Sequence, residues 1–360
     1  MRVVLAGGGT TGHISPMLAT AEALSASDPS IHITCVGTPV GLETDLVPHA
    51  GFELRLVDPV PLPRTVSADL VTLPVRIVKA VRQAKAILRG ADVVVGFGGY
   101  ASLPVFLAAK RMRIPVVVHE ANAVPGLANR IAARFAAYVC VTFENTGLPH
   151  QIVTGMPVRP DVANLDRNAE RGHARELFGL DADARVLLVS GGSQGARSLN
   201  TATMAALPAL AAAGISVLHV TGKKNVDEPY TPVDGYVRVA YVERMGEAYA
   251  AADLMLARSG AGTVAETALA GLPVIFVPLP HGNGEQAKNA AGVVAAGGGI
   301  LVVDADLTPQ RLVGEATRIL GDDQIVDRMS HAALNVMPRD AAQVVARYTI
   351  EAAKESHPCP

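Results

Sequence analysis

The stretch ARSGAGTVAETALAGLPVIFVPLPHGNGEQAKNA, from Ala257 to Ala290, decides how this chain is read. An apolar approach leads into a Gly/Ser-rich turn, a helix opens at Thr263 with Glu266 in its first turn, and a buried strand follows from Pro273 to Val277. A helix N-terminus after such a turn offers unpaired N–H groups and a partial positive charge to a diphosphate. Glu266, one turn in, is placed to accept hydrogen bonds from ribose hydroxyls. Sugar nucleotides carry both groups. The same pattern also suits an ordinary βα turn with a helix-stabilising acid near its start.

Two more glycine turns follow short apolar runs. Arg2 to Ala6 reads as a buried strand, Gly7 to Gly12 (GGGTTG) as a turn, and His13 to Leu24 as a helix that tolerates Pro16 in its first turn. Gly7, Gly9 and Gly12 satisfy G-x-G-x-x-G. The dinucleotide fingerprint also wants an acid at the end of the second strand, and the strand Ile31 to Val36 ends in Gly37-Thr38, which argues against NAD or FAD. The third turn, SGGSQGAR from Ser190 to Arg197, follows the strand Arg185 to Val189 and matches the G-x-S-x-G nucleophile elbow. An α/β-hydrolase would use Ser193 with Asp253 and His281 as the formal acid and histidine. It would have no use for the N-terminal turn or for Thr263 and Glu266. A loop that gives N–H groups and the Ser193 hydroxyl to phosphate oxygens uses all three features.

Strands and helices alternate in both halves of the 360 residues, which is long for one core and natural for two domains. The first-half strands are read as Arg2–Ala6, Ile31–Val36, Glu53–Val57, Val93–Gly96, Pro115–His119 and Tyr138–Val141. The second-half strands are Arg185–Val189, Ser216–Val220, Val237–Ala240, Leu254–Ala257, Pro273–Val277 and Gly299–Val302. Most are continuous apolar runs, the pattern of parallel strands covered on both faces. Two doubly wound α/β sheets follow, joined between Thr154 and Asp181, with all three glycine turns at carboxyl ends of strands. If the sheets face each other, those turns converge on one cleft. A net charge of −2 gives no reason to expect nucleic acid. Cys35, Cys140 and Cys359 are too scattered for a disulfide framework or a zinc site. A strand beginning at Arg2 leaves no room for a signal peptide, and no apolar run approaches the roughly 20 residues that span a bilayer. The expectation is a cytoplasmic protein.

Six motifs in order carry a resemblance: GGGTTGH at Gly7–His13, GFGGYAS at Gly96–Ser102, HEANAVPGLANR at His119–Arg130, GMPVR at Gly155–Arg159, GGSQGAR at Gly191–Arg197, and the Ala257–Ala290 stretch. Over nearly its whole length the chain resembles the peptidoglycan N-acetylglucosaminyltransferases that convert lipid I to lipid II. The resemblance implies a GT-B fold of two doubly wound Rossmann-like domains facing a central cleft. It places an acceptor and membrane-facing domain at 1–159, a UDP-N-acetylglucosamine (UDP-GlcNAc) domain at 160–336, and a last helix within 337–360 that packs back on the first domain. The implied reaction is inverting transfer of GlcNAc to the MurNAc C4 hydroxyl of undecaprenyl-pyrophosphoryl-MurNAc-pentapeptide. No cofactor or metal is implied. The implied location is the inner leaflet of the cytoplasmic membrane, as a peripheral protein with cell-wall or division machinery as partners.

Carried over by motif, Thr10, Thr11 and Gly12 face the donor, Asn122 reaches its sugar, and Arg159 and Ser193 contact diphosphate and sugar. Val242 stands where backbone groups hold uracil, Ala261, Gly262, Thr263, Val264, Ala265 and Glu266 form the nucleotide-binding helix start, and Gln286 is a further donor ligand. Met156 replaces an Asn of many relatives, and Glu285 the first of a Gln-Gln pair. A UDP-GlcNAc 2-epimerase or a natural-product glycosyltransferase would share the fold and keep Glu266. A non-catalytic sugar-nucleotide binder would bind and transfer nothing.

The chemistry needs a base for the attacking hydroxyl and stabilisation for departing UDP. His13, at a helix start and able to be neutral near pH 7, is the candidate base, or else it only orders its loop. Helix termini after Ser193 and Gly262, with Arg159, could stabilise the diphosphate without a metal. His119 and Glu120 end a buried strand, where core or loop-ordering roles compete with catalysis. Asp181-x-Asp183 and Asp304-x-Asp306 mimic a metal-binding D-x-D, but turn chemistry and a Thr308-capped helix explain them more simply. Between Arg64 and Arg113, Arg76, Lys79, Arg82, Lys85, Arg89, Lys110 and Arg111 interleave with apolar residues. Such a face suits anionic lipid headgroups or packs on a sheet.

Overall fold

The structure, a computed structural model, describes residues 1–60, 69–225, 233–281 and 283–356, so Arg64 and Cys359 lie outside the described residues. The chain divides into two units, Met1–Arg159 with Asp340–Pro360, and Pro160–Arg339. The first runs β1 (Arg2–Ala6), α1 (Thr11–Ser27), β2 (His32–Gly37), α2 (Glu43–His49), β3 (Glu53–Leu56), α3 (Asp69–Ile87), β4 (Val93–Gly96), α4 (Ser102–Met112), β5 (Val116–Glu120), α5 (Leu127–Ala132), β6 (Tyr138–Val141) and β7 (Gln151–Val153). The second runs α6 (Pro160–Ala163), α7 (Arg167–Phe178), β8 (Arg185–Ser190), α8 (Arg197–Ala212), β9 (Ile215–Val220), β10 (Tyr236–Val239), α9 (Met245–Ala251), β11 (Leu254–Ala257), α10 (Ala261–Ala270), β12 (Val274–Phe276), α11 (Glu285–Ala296), β13 (Gly299–Leu301), α12 (Pro309–Leu320) and α13 (Asp323–Leu334). The chain then returns to the first unit as α14 (Ala341–Ser356).

Both sheets are parallel throughout, in the orders β3-β2-β1-β4-β5-β6-β7 and β10-β9-β8-β11-β12-β13. The apolar runs explain this. Val3 and Leu5 of β1 point to a layer that holds Met17, Ala21 and Leu24 of α1 and Val345 and Ala346 of α14. Val4 and Ala6 point the other way, to Val81 and Leu88 on and beside α3 and to Val105 and Phe106 of α4. A strand covered on both faces has no polar side to alternate with. α14 is tied in further by stacking of Tyr348 on Tyr138, ring centroids 4.8 Å apart, and by a 2.8 Å hydrogen bond from the Tyr138 hydroxyl to Glu355.

The strands stand within one or two residues of their expected bounds, with one addition. Gln151–Val153 pairs with β6 as the edge strand β7, too short and too half-exposed to stand out as an apolar run. Helix ends follow local chemistry. Asp166 caps α7, Thr308 caps α12 with Pro309 behind it, and Asp322 caps α13.

At the amino-terminal edge of the second sheet, Asp253 pairs with Arg171 and Arg175 of α7, the latter at 3.0 Å, and accepts the Val186 N–H at 2.8 Å. The side chains of Arg175 and Asp253 are 3% and 4% exposed. Removing the acid alone leaves a buried guanidinium without its counter-charge. Asp253→Ala is expected to cost about 3–5 kcal/mol of stability in urea unfolding, and an unchanged midpoint would refute the pairing.

Candidate active site

Strand order reverses between β1 and β4 in one sheet and between β8 and β11 in the other, and such switch points open a crevice at the carboxyl ends of the strands. The singled-out residues gather at these ends.

In the first unit, the Gly7–Gly12 turn leaves β1 and runs into α1, whose first turn lacks a side-chain cap. Thr10 and Gly12 are exposed and Thr11 half-exposed, so their groups are open to a ligand. The half-buried His13 imidazole has Nδ1 3.2 Å from Thr10 Oγ1, and it hydrogen-bonds the Gly8 carbonyl. Burial holds its pKa below 6.5, against the opposing pull of the Gly8 carbonyl and the Glu43 charge. The GFGGYAS motif supports it from β4. A Cβ on Gly98 would stand 3.1–3.2 Å from the His13 ring, and one on Gly99 would overlap the Gly8 carbonyl. Only glycines let these two loops close on each other. Ser102 fastens the second loop by donating to the Ala6 and Gly98 carbonyls.

HEAN ends β5. Burial pushes the His119 imidazole down to about 4, and Nε2 lies 3.0 Å from the Gly155 carbonyl, so this ring is a neutral strut inside the sheet. Glu120 is also buried, which pushes its carboxyl above the usual range although it accepts from the Asn122 and Gly126 N–H groups and from Asn129 Nδ2. It shapes the loop that presents the half-buried Asn122. Met156 is buried, and its sulfur accepts from the Thr142 hydroxyl, so this position packs the sheet. Arg159, half-exposed, closes the unit.

In the second unit, β8 runs into Gly191–Ala196. A Cβ on Gly195 would overlap the Thr221 carbonyl, which presses the loop flat on the segment after β9 and leaves Ser193 half-exposed. α8 opens at Arg197 without a side-chain cap. Val242, buried, lies beyond β10 in the run before α9.

α10 starts at Ala261 rather than at Thr263, because extended Gly260 takes the N-cap position and its carbonyl receives the Val264 N–H at 3.0 Å. No side chain caps it, so the N–H groups at Ala261, Gly262 and Thr263 are available to an anion. Glu266 therefore sits in the second turn, with Oε1 about one van der Waals contact, 4.0 Å, from where a Gly262 Cβ would be. Its Oε2 accepts from the buried Tyr249 hydroxyl at 2.7 Å, a partner hidden in the alanine-rich run before β11. Val264 and Ala265 are fully buried, so their side chains meet the core and not a ligand. After β12, Gln286 accepts the Leu279 N–H through Oε1, which leaves its amide N–H groups to point elsewhere. Glu285 is half-exposed beside it.

The hydrolase arrangement fails on geometry. Ser193 follows the carboxyl end of β8, whereas Asp253 precedes β11 at the opposite edge of the same parallel sheet and is spent on Arg171 and Arg175. His281 is exposed and cannot be joined to that acid. The first acid of each aspartate pair is also engaged. Asp304 pairs with Arg258 at 2.5 Å and accepts from Ser198, and Asp181 accepts the Asp183 N–H in a turn. Among the described residues no group of three or more His, Cys, Asp or Glu could hold a metal ion.

Two Rossmann-like sheets, each with glycine turns at its switch point, and an uncapped helix start beside a carboxylate define a nucleotide-sugar glycosyltransferase of the GT-B class. The chain belongs to glycosyltransferase family 28: the model of that family's N-terminal domain matches residues 3–141 and that of its C-terminal domain residues 186–345. It is 52% identical over 357 residues to the UDP-N-acetylglucosamine--N-acetylmuramyl-(pentapeptide) pyrophosphoryl-undecaprenol N-acetylglucosamine transferase of a Nocardioides species, with 98% of each chain covered. To the protein of the same name in a Mycobacterium species it is 53% identical over 359 residues, covering 98% of this chain and 96% of that one. A solved structure of MurG from Acinetobacter baumannii superposes with a TM-score of 0.75 at 28% identity, covering 97% of this chain and 99% of that one.

Proposed function

We propose that the chain transfers GlcNAc from UDP-GlcNAc to the MurNAc C4 hydroxyl of lipid I, forming lipid II. The observation that carries this reading is the uncapped start of α10 with Glu266 one turn further on, bonded by Tyr249: anion donors in the first turn and a ribose acceptor in the second. Near-complete coverage by relatives that bear this activity in their names supports the acceptor.

In the proposed reaction the acceptor oxygen attacks the anomeric carbon in line, the bond from that carbon to the UDP oxygen breaks, and configuration inverts. His13 takes the hydroxyl proton. The second unit binds the donor: N–H groups of Ala261 to Thr263 and the Ser193 loop receive the diphosphate, Glu266 the ribose, Val242 the base through its backbone, and Gln286 the sugar. Arg159 adds positive charge to the diphosphate, and Asn122 and the Thr10–Gly12 turn meet the sugar. Charge on the departing UDP is then balanced by preorganised dipoles rather than by water that must reorient. Asp304 and Asp181, already engaged by Arg258 and by the Asp183 N–H, take no part in this scheme.

Incubation of the protein with labelled UDP-GlcNAc and a lipid I analogue is expected to give product with a chelator present. Because burial lowers the His13 pKa, the base stays neutral below the ordinary imidazole value of 6.5, and kcat/KM should fall only as pH drops through a midpoint under it. Glu266→Ala should raise the donor KM by about tenfold or more, the scale of a lost hydrogen bond to a charged group. Turnover lost in chelator and restored by manganese, or an unchanged donor KM, would contradict the scheme.

Peripheral attachment to the inner face of the membrane is the second part of the proposal. Among the described residues no helix is long and apolar enough to cross a bilayer. α3 nevertheless exposes Val75 (72%) and Val78 (49%) beside Lys79 and Arg82. Lys79 is paired with Asp58 and Lys110 lies over the Phe135 ring, and among the described residues Arg82, Lys85, Arg89, Arg111 and Arg113 make no ion pair. Each cation near an anionic surface adds about 1 kcal/mol. The protein should co-sediment with phosphatidylglycerol vesicles, less so at high salt, and Val75→Asp combined with Arg82→Glu should reduce the bound fraction. Equal binding by the double variant would remove α3 from the contact.

A further inference from the structure

The G-x-G-x-x-G turn of the first unit lacks its usual acid at the end of β2, and an acid reaches it by another route. Glu43, the first residue of α2, is fully buried. Its Oε2 accepts the Gly9 N–H at 2.9 Å, and its Oε1 accepts the Thr38 N–H at 2.7 Å and the Thr38 hydroxyl at 2.9 Å. The surrounding backbone leaves a socket of its size: a Cβ on Gly8, Gly37 or Gly41 would overlap the Glu43 side chain. Burial alone would raise its pKa, but the hydrogen bonds from Gly9 and Thr38 outweigh it and hold the carboxyl below the usual range, so it is ionised.

A turn of this kind ordinarily aims its N–H groups at a bound phosphate. Here an internal carboxylate already fills that role at Gly9. Its grip also fixes the two groups that hold the His13 ring, since Gly8 and Thr10 flank Gly9 on either side, the Gly8 carbonyl accepts from the imidazole, and Thr10 Oγ1 lies 3.2 Å from Nδ1. The Thr10 carbonyl further receives the His13 and Ile14 N–H groups that start α1.

We propose that Glu43 is a positioning residue for His13, an internal anion that locks the Gly7–Gly12 turn so that the imidazole is presented to the acceptor hydroxyl. Glu43 acts through Gly8, Gly9 and Thr10 and touches no substrate. The proposal rests on the transferase reading given above for the role of His13, and on the geometry of Glu43 for the rest. Glutamine at this position has one acceptor oxygen for two sets of donors, so it must release either Gly9 or Thr38.

The test uses the full chain with Glu43→Gln and, as a milder change, Thr38→Val, which removes one donor to the carboxylate. Glu43→Gln is expected to lower kcat about a hundredfold, the effect of a catalytic group misplaced by an ångström, while calorimetry finds the binding of UDP, which lacks the sugar that the turn meets, unchanged. Thr38→Val should lower kcat by a smaller factor in the same direction. Independently of turnover, amide deuterium exchange in the Gly7–His13 peptide should be faster in Glu43→Gln than in wild type. Wild-type kcat in Glu43→Gln, or a loss shared equally by UDP binding, overturns the proposal, as does unchanged exchange. If wild-type protein itself transfers nothing to the lipid I analogue, the transferase reading falls, and the exchange rates alone then decide whether Glu43 holds the turn.

Discussion

Peptide N–H groups that leave the carboxyl edge of a parallel sheet have no neighbouring strand to bond, and whatever satisfies them decides what that edge can bind. The two sheets of this chain meet the constraint differently. In the first, the Gly9 and Thr38 N–H groups are taken by the buried Glu43 carboxylate. In the second, the start of α10 has no capping side chain, and the nearest carboxylate, Glu266, is held off by Tyr249 as an acceptor in its own right. At Gly9 and Thr38 the donors are taken by an anion of the chain's own. At the start of α10 no side chain takes them.

This difference gives each unit its part of the chemistry. In the proposed scheme a leaving diphosphate needs fixed donors, and the uncapped α10 and α8 starts would supply them. In the same scheme the attacking hydroxyl needs a neutral base held still, and the surroundings of His13 suit that part: burial lowers its pKa, and backbone glycines at Gly98 and Gly99 bring the supporting loop against it. The same packing explains why the motifs of the first unit are rich in glycine although that unit is not read as the nucleotide binder.

Much of this was legible in the residues. Doubly covered strands announce themselves as apolar runs such as Val93–Gly96 and Leu254–Ala257, and turn and cap chemistry accounts for Asp181 and Thr308. What stayed hidden depends on contacts distant in sequence or on backbone dihedrals. β7 is an edge strand of three residues that alternates too little to be seen. The start of α10 was displaced by two positions because an extended glycine, not Thr263, caps it. The formal Ser193–Asp253–His281 set dissolves once strand direction is known, since Ser193 and Asp253 lie at opposite ends of neighbouring parallel strands. Glu43 was invisible for the same reason: it is 34 residues from the turn it holds, and only the socket formed by Gly8, Gly37 and Gly41 reveals it.

The central claim is that the open helix start of the second unit, and not the glycine turn of the first, receives the donor diphosphate. A crystal structure of the protein with UDP-GlcNAc bound addresses it most directly. The account predicts diphosphate oxygens on the N–H groups of Ala261 to Thr263, ribose hydroxyls on Glu266, and Glu43 still bonded to Gly9. A diphosphate seated on the Gly7–Gly9 backbone, with Glu43 displaced from its socket, would contradict it.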